Sequence, residues 1–352
     1  MQRKRLQEVL ACIKPLDLEA VARVQAQLDI KTKPPGSLGK LEELAKQLAG
    51  ITGKDFPSVQ QKAVLVMAGD HGVVAEGVSA FPQEVTPQMV YNMLAGGAGI
   101  NVLSRQANSR VICTDVGVAA DLEYEDLVSK KVARGTQNMA KGPAMTVDQA
   151  VAAILVGVEV AEDQIHSGVN LLATGEMGIG NTTPSSAIVS VLMGKPVEEV
   201  VGIGTGITTQ GIENKIRVIK QAIEVNKPDP KDALDILTKV GGLEIAAMCG
   251  AVLAAAANRV PIVIDGFIST AAAALAVSLQ PDSANYLIPS HCSEEPGHIL
   301  ILSHLGLQPM LNLNLRLGEG TGAVLAFYLV EAATRILQEM ATFEQAGVAS
   351  GS

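Results

Sequence analysis

The chain has 352 residues, enough for one large domain or two ordinary ones with a sizeable interior. A 48% hydrophobic content and a mean hydropathy of +0.28 describe a packed globule and no disordered chain. With a formal net charge of −9, 3% aromatics and no Trp, a broad nucleic-acid surface is excluded, because that footprint needs a basic field and stacking platforms. Any anionic ligand must be met locally. The basic start MQRKRLQEVLACIKPLD is interrupted by Glu8, Lys14 and Asp17, so no secretory signal is read. The most apolar stretches, 248–257 and 271–279, fall short of the roughly 20 residues of a bilayer span, and no membrane partner is expected. Cys12, Cys113, Cys249 and Cys292 lack CxxC spacing, which points to neither zinc nor a disulfide framework and fits a cytoplasmic setting.

In chain order, residues 6–28 carry a helical pattern outside any sheet. KPPGSLGKLEELAKQLAGI then makes a proline turn and a helix with Leu38, Leu41, Leu44, Ala45 and Leu48 at helical spacing. Six short apolar runs follow: 63–68 (AVLVMA), 110–114 (RVICT), 170–174 (NLLAT), 200–203 (VVGI), 261–264 (PIVI) and 286–289 (YLIP). Each leads into a polar residue with glycine and then a helical pattern. NTTPSSAIVSVLMG, for example, offers Thr183 as N-cap, Pro184 at the first helical position and Gly194 as a stop. Runs apolar on both faces that alternate with helices predict an α/β fold, a Rossmann-like doubly wound parallel sheet flanked by helices. The expected division is a large domain over 60–320, a small helical domain from 1–30 and 323–345, and a connecting turn and helix over 31–59.

Asp70 and His71, Asp115, Glu176, the glycines Gly202, Gly204 and Gly206, Asp265 with Gly266, and Ser290 with His291 lie in or just after the runs, where open sheets bind ligands. NLRLGEGTGAVLAF places Glu319 between Gly318 and Gly320 just before a helix. It is either a cap for that helix or, if desolvation offsets the helix dipole, a general base. ATGEMGIGNTT gives a second carboxylate, Glu176, again either a loop cap or a partner in chemistry at an anomeric carbon. VGIGTGI can turn amides toward a phosphate, with Lys215 near in the chain, but it is neither GxGxxG with its acidic partner nor a P-loop. His71, His291 and His298 come without HExxH or a carboxylate triad and are expected to be structural, so no metal is assigned. No GxSxG elbow is present.

Taken together, KPPGSLGKLE, KAVLVMAGDHGV, DVGVAADL in part, VARGTQNMAKGPAM, GEMGIGNTTPSSA, VGIGTGI, KVGGLEIAAMCG, PIVIDGFISTAAA, YLIPSH and RLGEGTGAVLA resemble, in order and over nearly the whole chain, the nicotinate-nucleotide:dimethylbenzimidazole phosphoribosyltransferase family. The resemblance implies transfer of the 5-phosphoribosyl group from nicotinate mononucleotide to a benzimidazole nitrogen, giving an α-riboside, with no cofactor. It implies Glu319 as general base, and Glu176, Gly178, Ser290, Arg316, Leu317 and Gly318 along the substrate pocket. Gly202, Gly204 and Lys215 resemble the phosphate-holding elements, and Asp70 is a further substrate-binding candidate at a strand end. Phe81 and Met89 stand where better-known relatives carry a serine and a glutamine, so a larger, less polar lining is expected to admit several benzimidazoles or related azoles. A homodimer with the site near the subunit contact is also implied. Two rivals remain: a non-catalytic nucleotide or corrinoid sensor, and an NAD-dependent oxidoreductase, which the missing dinucleotide fingerprint disfavours.

Overall fold

The computed structural model describes residues 1–349 apart from Ile203, Thr205 and Ile207. Six strands, β1 (Lys62–Gly69), β2 (Ser109–Gly117), β3 (Val128–Ser129), β4 (Leu171–Met177), β5 (Ile262–Ile264) and β6 (Leu287–Pro289), form one parallel sheet in the order β3-β2-β1-β4-β5-β6. A separate parallel pair, β7 (His291–Ser293) and β8 (Leu311–Leu315), lies at its end in sequence. β1 shows why the apolar runs become strands covered on both sides. Ala63, Leu65 and Met67 enter one core, Val64, Val66 and Ala68 the other, as a period of two requires.

The run 200–203 is not a strand. Val197–Val200 forms a single helical turn that buries Val197 and Val200 at i,i+3 spacing and packs on the helix Pro296–His304; Ile203 lies outside the described residues. The helix Thr182–Met193 also starts earlier than its proline suggested, with Asn181 as N-cap and Pro184 in the third position, and it stops at Gly194 in a left-handed conformation, φ 61°.

Leu18–Asp29, Lys40–Thr52 and Thr321–Glu339 pack on one another over one face of the sheet, so the N- and C-terminal helices do form a common layer. Gln2–Cys12 packs instead on Val147–His166 and Leu243–Ala257 over the opposite face. Leu243–Ala257 is buried all round except at its last residue, which suits its alanine-rich sequence, and it touches Val147–His166 almost backbone to backbone. A Cβ on Gly250 would sit 1.8 Å from the Ile154 carbonyl oxygen, and one on Gly157 1.7 Å from that of Ala247.

The chain leaves β1 toward β2 on one side, and β4 continues toward β5 on the other. Between β1 and β4 the order reverses, and the crevice beyond their carboxyl ends is where such a fold presents a ligand site.

Candidate active site

A cavity of about 350 Å³ opens at that crevice, with Glu176 and Gly178 from the end of β4, Asp265 from the end of β5, and Arg316, Leu317, Gly318 and Glu319 from the segment after β8. Phe81, Val85, Met89, Phe267 and Ile268 add apolar surface to its lining.

The turn carrying Glu319 has three consecutive residues in the left-handed region: Gly318 (φ 83°), Glu319 (φ 63°) and Gly320 (φ 94°). Such a conformation costs an L-residue about 1–2 kcal/mol and glycine little, so the flanking glycines confine the strain to the one position that needs a side chain. Space makes the same demand. A Cβ on Gly318 would lie 2.1 Å from Glu176 Oε1, one on Gly320 2.7 Å from Val64 Cγ1, and one on Gly322 1.9 Å from His291 Nδ1.

Glu319 is not a cap for its own helix. Its Oε2 accepts the Ile100 amide at 3.0 Å, in the first turn of a different helix, Gly99–Gln106, and among the described residues its Oε1 has no hydrogen-bond partner. The caps of Thr321–Glu339 come from Asp265, whose Oδ2 accepts the Gly320 amide at 3.2 Å and Oδ1 the Ala323 amide at 2.9 Å. Burial raises the Glu319 pKa above the usual carboxylate range; the Ile100 amide opposes this and the charge of Asp265 adds to it.

Glu176 accepts the Glu319 amide on Oε1 at 3.3 Å and is held on Oε2 by the Asn181 side-chain amide. It thus braces the turn and does not cap the helix after it. Burial, with Asp265 and Glu244 as further negative neighbours, pushes its carboxyl up to about 8, so it carries its proton at neutral pH. Asp265 is likewise raised by burial, against the pull of His291 at 3.8 Å and of the amides it caps.

Behind the lining residue Thr182, Lys215 donates to Thr182 Oγ1 at 2.6 Å from full burial, which pushes its ammonium down to about 8 despite nearby Glu295. Glu295 Oε1 accepts the Gly204 amide at 2.8 Å, and Arg316 donates to the Gly204 carbonyl at 3.4 Å. A Cβ on Gly202 would come within 2.0 Å of Glu295 Oε2. Gly202, Gly204, a buried ammonium and a guanidinium therefore gather around Glu295 and Thr182.

Of the candidates read from sequence, Glu319, Glu176, Gly178, Gly204, Arg316, Leu317, Gly318, Phe81 and Met89 line the cavity. Lys215 and Gly202 stand behind Thr182 and Glu295, and Ser290 stands behind the wall, its hydroxyl 3.2 Å from the Asp265 carbonyl and 3.0 Å from His291 Nδ1. Asp70 is turned away: its Oδ2 accepts the Ala119 amide at 2.8 Å beyond β2. His71 pairs with Glu244 at 2.8 Å in full burial, which disfavours its charge, yet the facing carboxylate raises its pKa overall. His298 accepts the Ser293 amide and meets Thr270 Oγ1, and burial pushes it down to about 3, so it is neutral. Sequence reading placed Asp265 among the strand-end site candidates without a specific role, and passed over Asn181 and Glu295. Asp265 had a signal, a carboxylate followed by glycine at a strand end; Glu295 stands in a loop before a proline and had none.

The family model DBI_PRT, a phosphoribosyltransferase, matches residues 13–348. The nicotinate-nucleotide–dimethylbenzimidazole phosphoribosyltransferase of Geotalea uraniireducens is 58% identical over 347 residues, covering 98% of this chain and 99% of that one. The chain belongs to the nicotinate-nucleotide:dimethylbenzimidazole phosphoribosyltransferase family. The same-named protein of Geobacter sulfurreducens is 55% identical over 98% of this chain and 99% of its own. Among solved structures, CobT from Thermus thermophilus superposes with a TM-score of 0.91 at 47% identity, covering 95% of this chain and all of that one, 100%. Membership accords with the end of β1, where a dinucleotide fold would carry its glycine fingerprint and this member has Gly69, Asp70, His71 and Gly72.

Proposed function

We infer that the protein transfers the 5-phosphoribosyl group of nicotinate mononucleotide to 5,6-dimethylbenzimidazole, giving α-ribazole 5′-phosphate and nicotinate. The observation that carries the reading is a buried carboxylate, Glu319, with one oxygen committed to an amide and the other free at the cavity. The donor already carries a pyridinium, so its glycosidic bond breaks to release a neutral ring nitrogen and needs no acid. The acceptor must lose its N–H proton as its other ring nitrogen bonds to C1′ and becomes cationic, and the raised proton affinity of Glu319 fits it to take that proton. Attack opposite the leaving group inverts the anomeric carbon, which requires acceptor and donor on opposite faces of the ribose.

The apolar residues Phe81, Val85 and Met89 suit a benzimidazole ring, and the positive charges of Lys215 and Arg316 beside Gly204 suit the phosphate. Glu176, neutral and braced between Asn181 and the Glu319 amide, serves as a hydrogen-bonding wall without adding a second charge. Half-exposed Phe81 and Leu317 at the rim favour a homodimer that covers them. No helix among the described residues is long and apolar enough to cross a membrane, and the four cysteines are free, in keeping with work in the cytoplasm.

Incubation with nicotinate mononucleotide and dimethylbenzimidazole, followed by chromatography, is expected to show an α-riboside phosphate and base-dependent nicotinate release. Nicotinate release indifferent to added base would refute the assignment. Paired-base competition is expected to show use of several benzimidazoles; a strict choice of one substituent pattern would count against the wider lining.

A further inference from the structure

Glu319 stands just before Gly320, the N-cap of a helix, Thr321–Glu339, whose first amides need acceptors. Here another carboxylate meets that need. Asp265, 2% exposed at the end of β5, spans Gly320 and Ala323 with its two oxygens, while the Thr321 amide is taken by the Gly318 carbonyl at 3.1 Å. The Glu319 side chain is thereby left to cross to Ile100 and the cavity.

We propose that Asp265 is the positioning residue of the transfer: by capping Thr321–Glu339 from the neighbouring strand end, it fixes the left-handed Gly318–Gly320 turn and releases Glu319 to face the acceptor. The proposal rests on the reading of Glu319 as base. The geometry leaves little slack. Glu176 holds the turn from the other side through the Glu319 amide, and Gly175 of β4 approaches so closely that a Cβ there would lie 2.4 Å from the Glu319 carbonyl oxygen. Loss of the Asp265 bonds leaves the Gly320 and Ala323 amides buried without partners and removes the contacts that set the turn from the β5 side.

The same carboxylate acts through its charge. It adds to the proton affinity of both Glu319 and Glu176. The charged groups that act on these three carboxyls include Glu244 from Leu243–Ala257, His71 after β1, whose own pKa the Glu244 and Glu176 charges raise, and His291 from β7; the Cys113 thiol of β2, raised to about 12 by burial, stays neutral. Removing the Asp265 charge therefore makes Glu319 easier to ionise.

The test is riboside-phosphate formation as a function of pH for the wild type, Asp265→Asn and Glu319→Gln. Asp265→Asn is expected to lower kcat by about tenfold or more, with KM for nicotinate mononucleotide within about threefold, because aim and not binding is lost. The acid limb of its kcat profile is expected to move to lower pH, which a merely structural residue would not cause. An unchanged kcat and limb, or a change in KM alone, would overturn the proposal. Should the Asn variant not fold, hydrogen exchange on the wild type decides: Gly320 and Ala323 amides are expected to exchange at least about 10²-fold more slowly than in an unstructured chain, and unprotected exchange would overturn it. Glu319→Gln separates the two ideas, since full activity in that variant removes the base reading itself, whatever Asp265 does.

Discussion

Replacing Glu319 by Gln changes almost nothing but the ability to take a proton. The glutamine carbonyl can keep the 3.0 Å contact to the Ile100 amide, and its amide group occupies the place of the free Oε1 at the cavity. The left-handed backbone is as tolerable for Gln as for Glu, so the turn, its bond to Glu176 and the cap from Asp265 survive. What disappears is the acceptor for the benzimidazole proton. Loss of a positioned general base costs on the order of 10²- to 10⁴-fold in rate. At 1.36 kcal/mol per decade this raises the barrier by roughly 2.7 to 5.4 kcal/mol. Steady-state assays of α-riboside phosphate are expected to show kcat reduced in that range with both KM values nearly unchanged, and a residual rate that no longer falls on the acid side. A folded variant with kcat within a few-fold of wild type would refute the reasoning, as would a loss confined to KM.

Three further outcomes follow from the buried groups and the helix contact. A carboxyl raised in the fold binds its proton more tightly than in the unfolded chain, so Glu176 favours the fold below about 4.5 and loses that contribution as pH rises toward about 8; a melting series is expected to fall over this window and to flatten in Glu176→Gln. Lys215, lowered to about 8, should regain its proton when a phosphate docks, so calorimetry of nicotinate mononucleotide binding at pH 8 in buffers of different ionisation enthalpy is expected to show proton uptake, absent in Lys215→Met. Gly250→Ala puts a methyl 1.8 Å from a backbone oxygen and is expected to destabilise by about 1–3 kcal/mol or more, read as a lower urea midpoint; unchanged stability would mean that the helices can part freely.

The sheet was legible because β1 and β4 bury both faces along their whole length, and β2 from Cys113 onward, so their sequences carry continuous apolar runs. Residues 200–203 carried the same signal for another reason: two valines three apart also satisfy a buried helical turn, and a four-residue window cannot distinguish the two periods. β8, with Leu311, Leu313 and Leu315 alternating against asparagines, and the two-residue edge strand β3 went unread, being short and partly exposed. In the cavity, residues next to glycine, such as Glu176 and Glu319, announced themselves because close backbone approach leaves a mark on the sequence. Asp265 as a cap did not, since it serves amides 55 and 58 residues further along the chain. No local pattern encodes such a partnership.

The contact of Gly250 with Ile154 and of Gly157 with Ala247 bears on how this enzyme can diversify. Leu243–Ala257 is clamped by main chain on one flank and supports Phe267–Leu279, which furnishes Phe267 and Ile268 to the cavity. That wall has no room to drift. Half-exposed Phe81 and partly exposed Met89 also line the cavity, and there a new side chain meets less resistance. Adaptation to a differently shaped base should thus leave its record on the Phe81 and Met89 side, while the clamped side is inherited nearly unaltered.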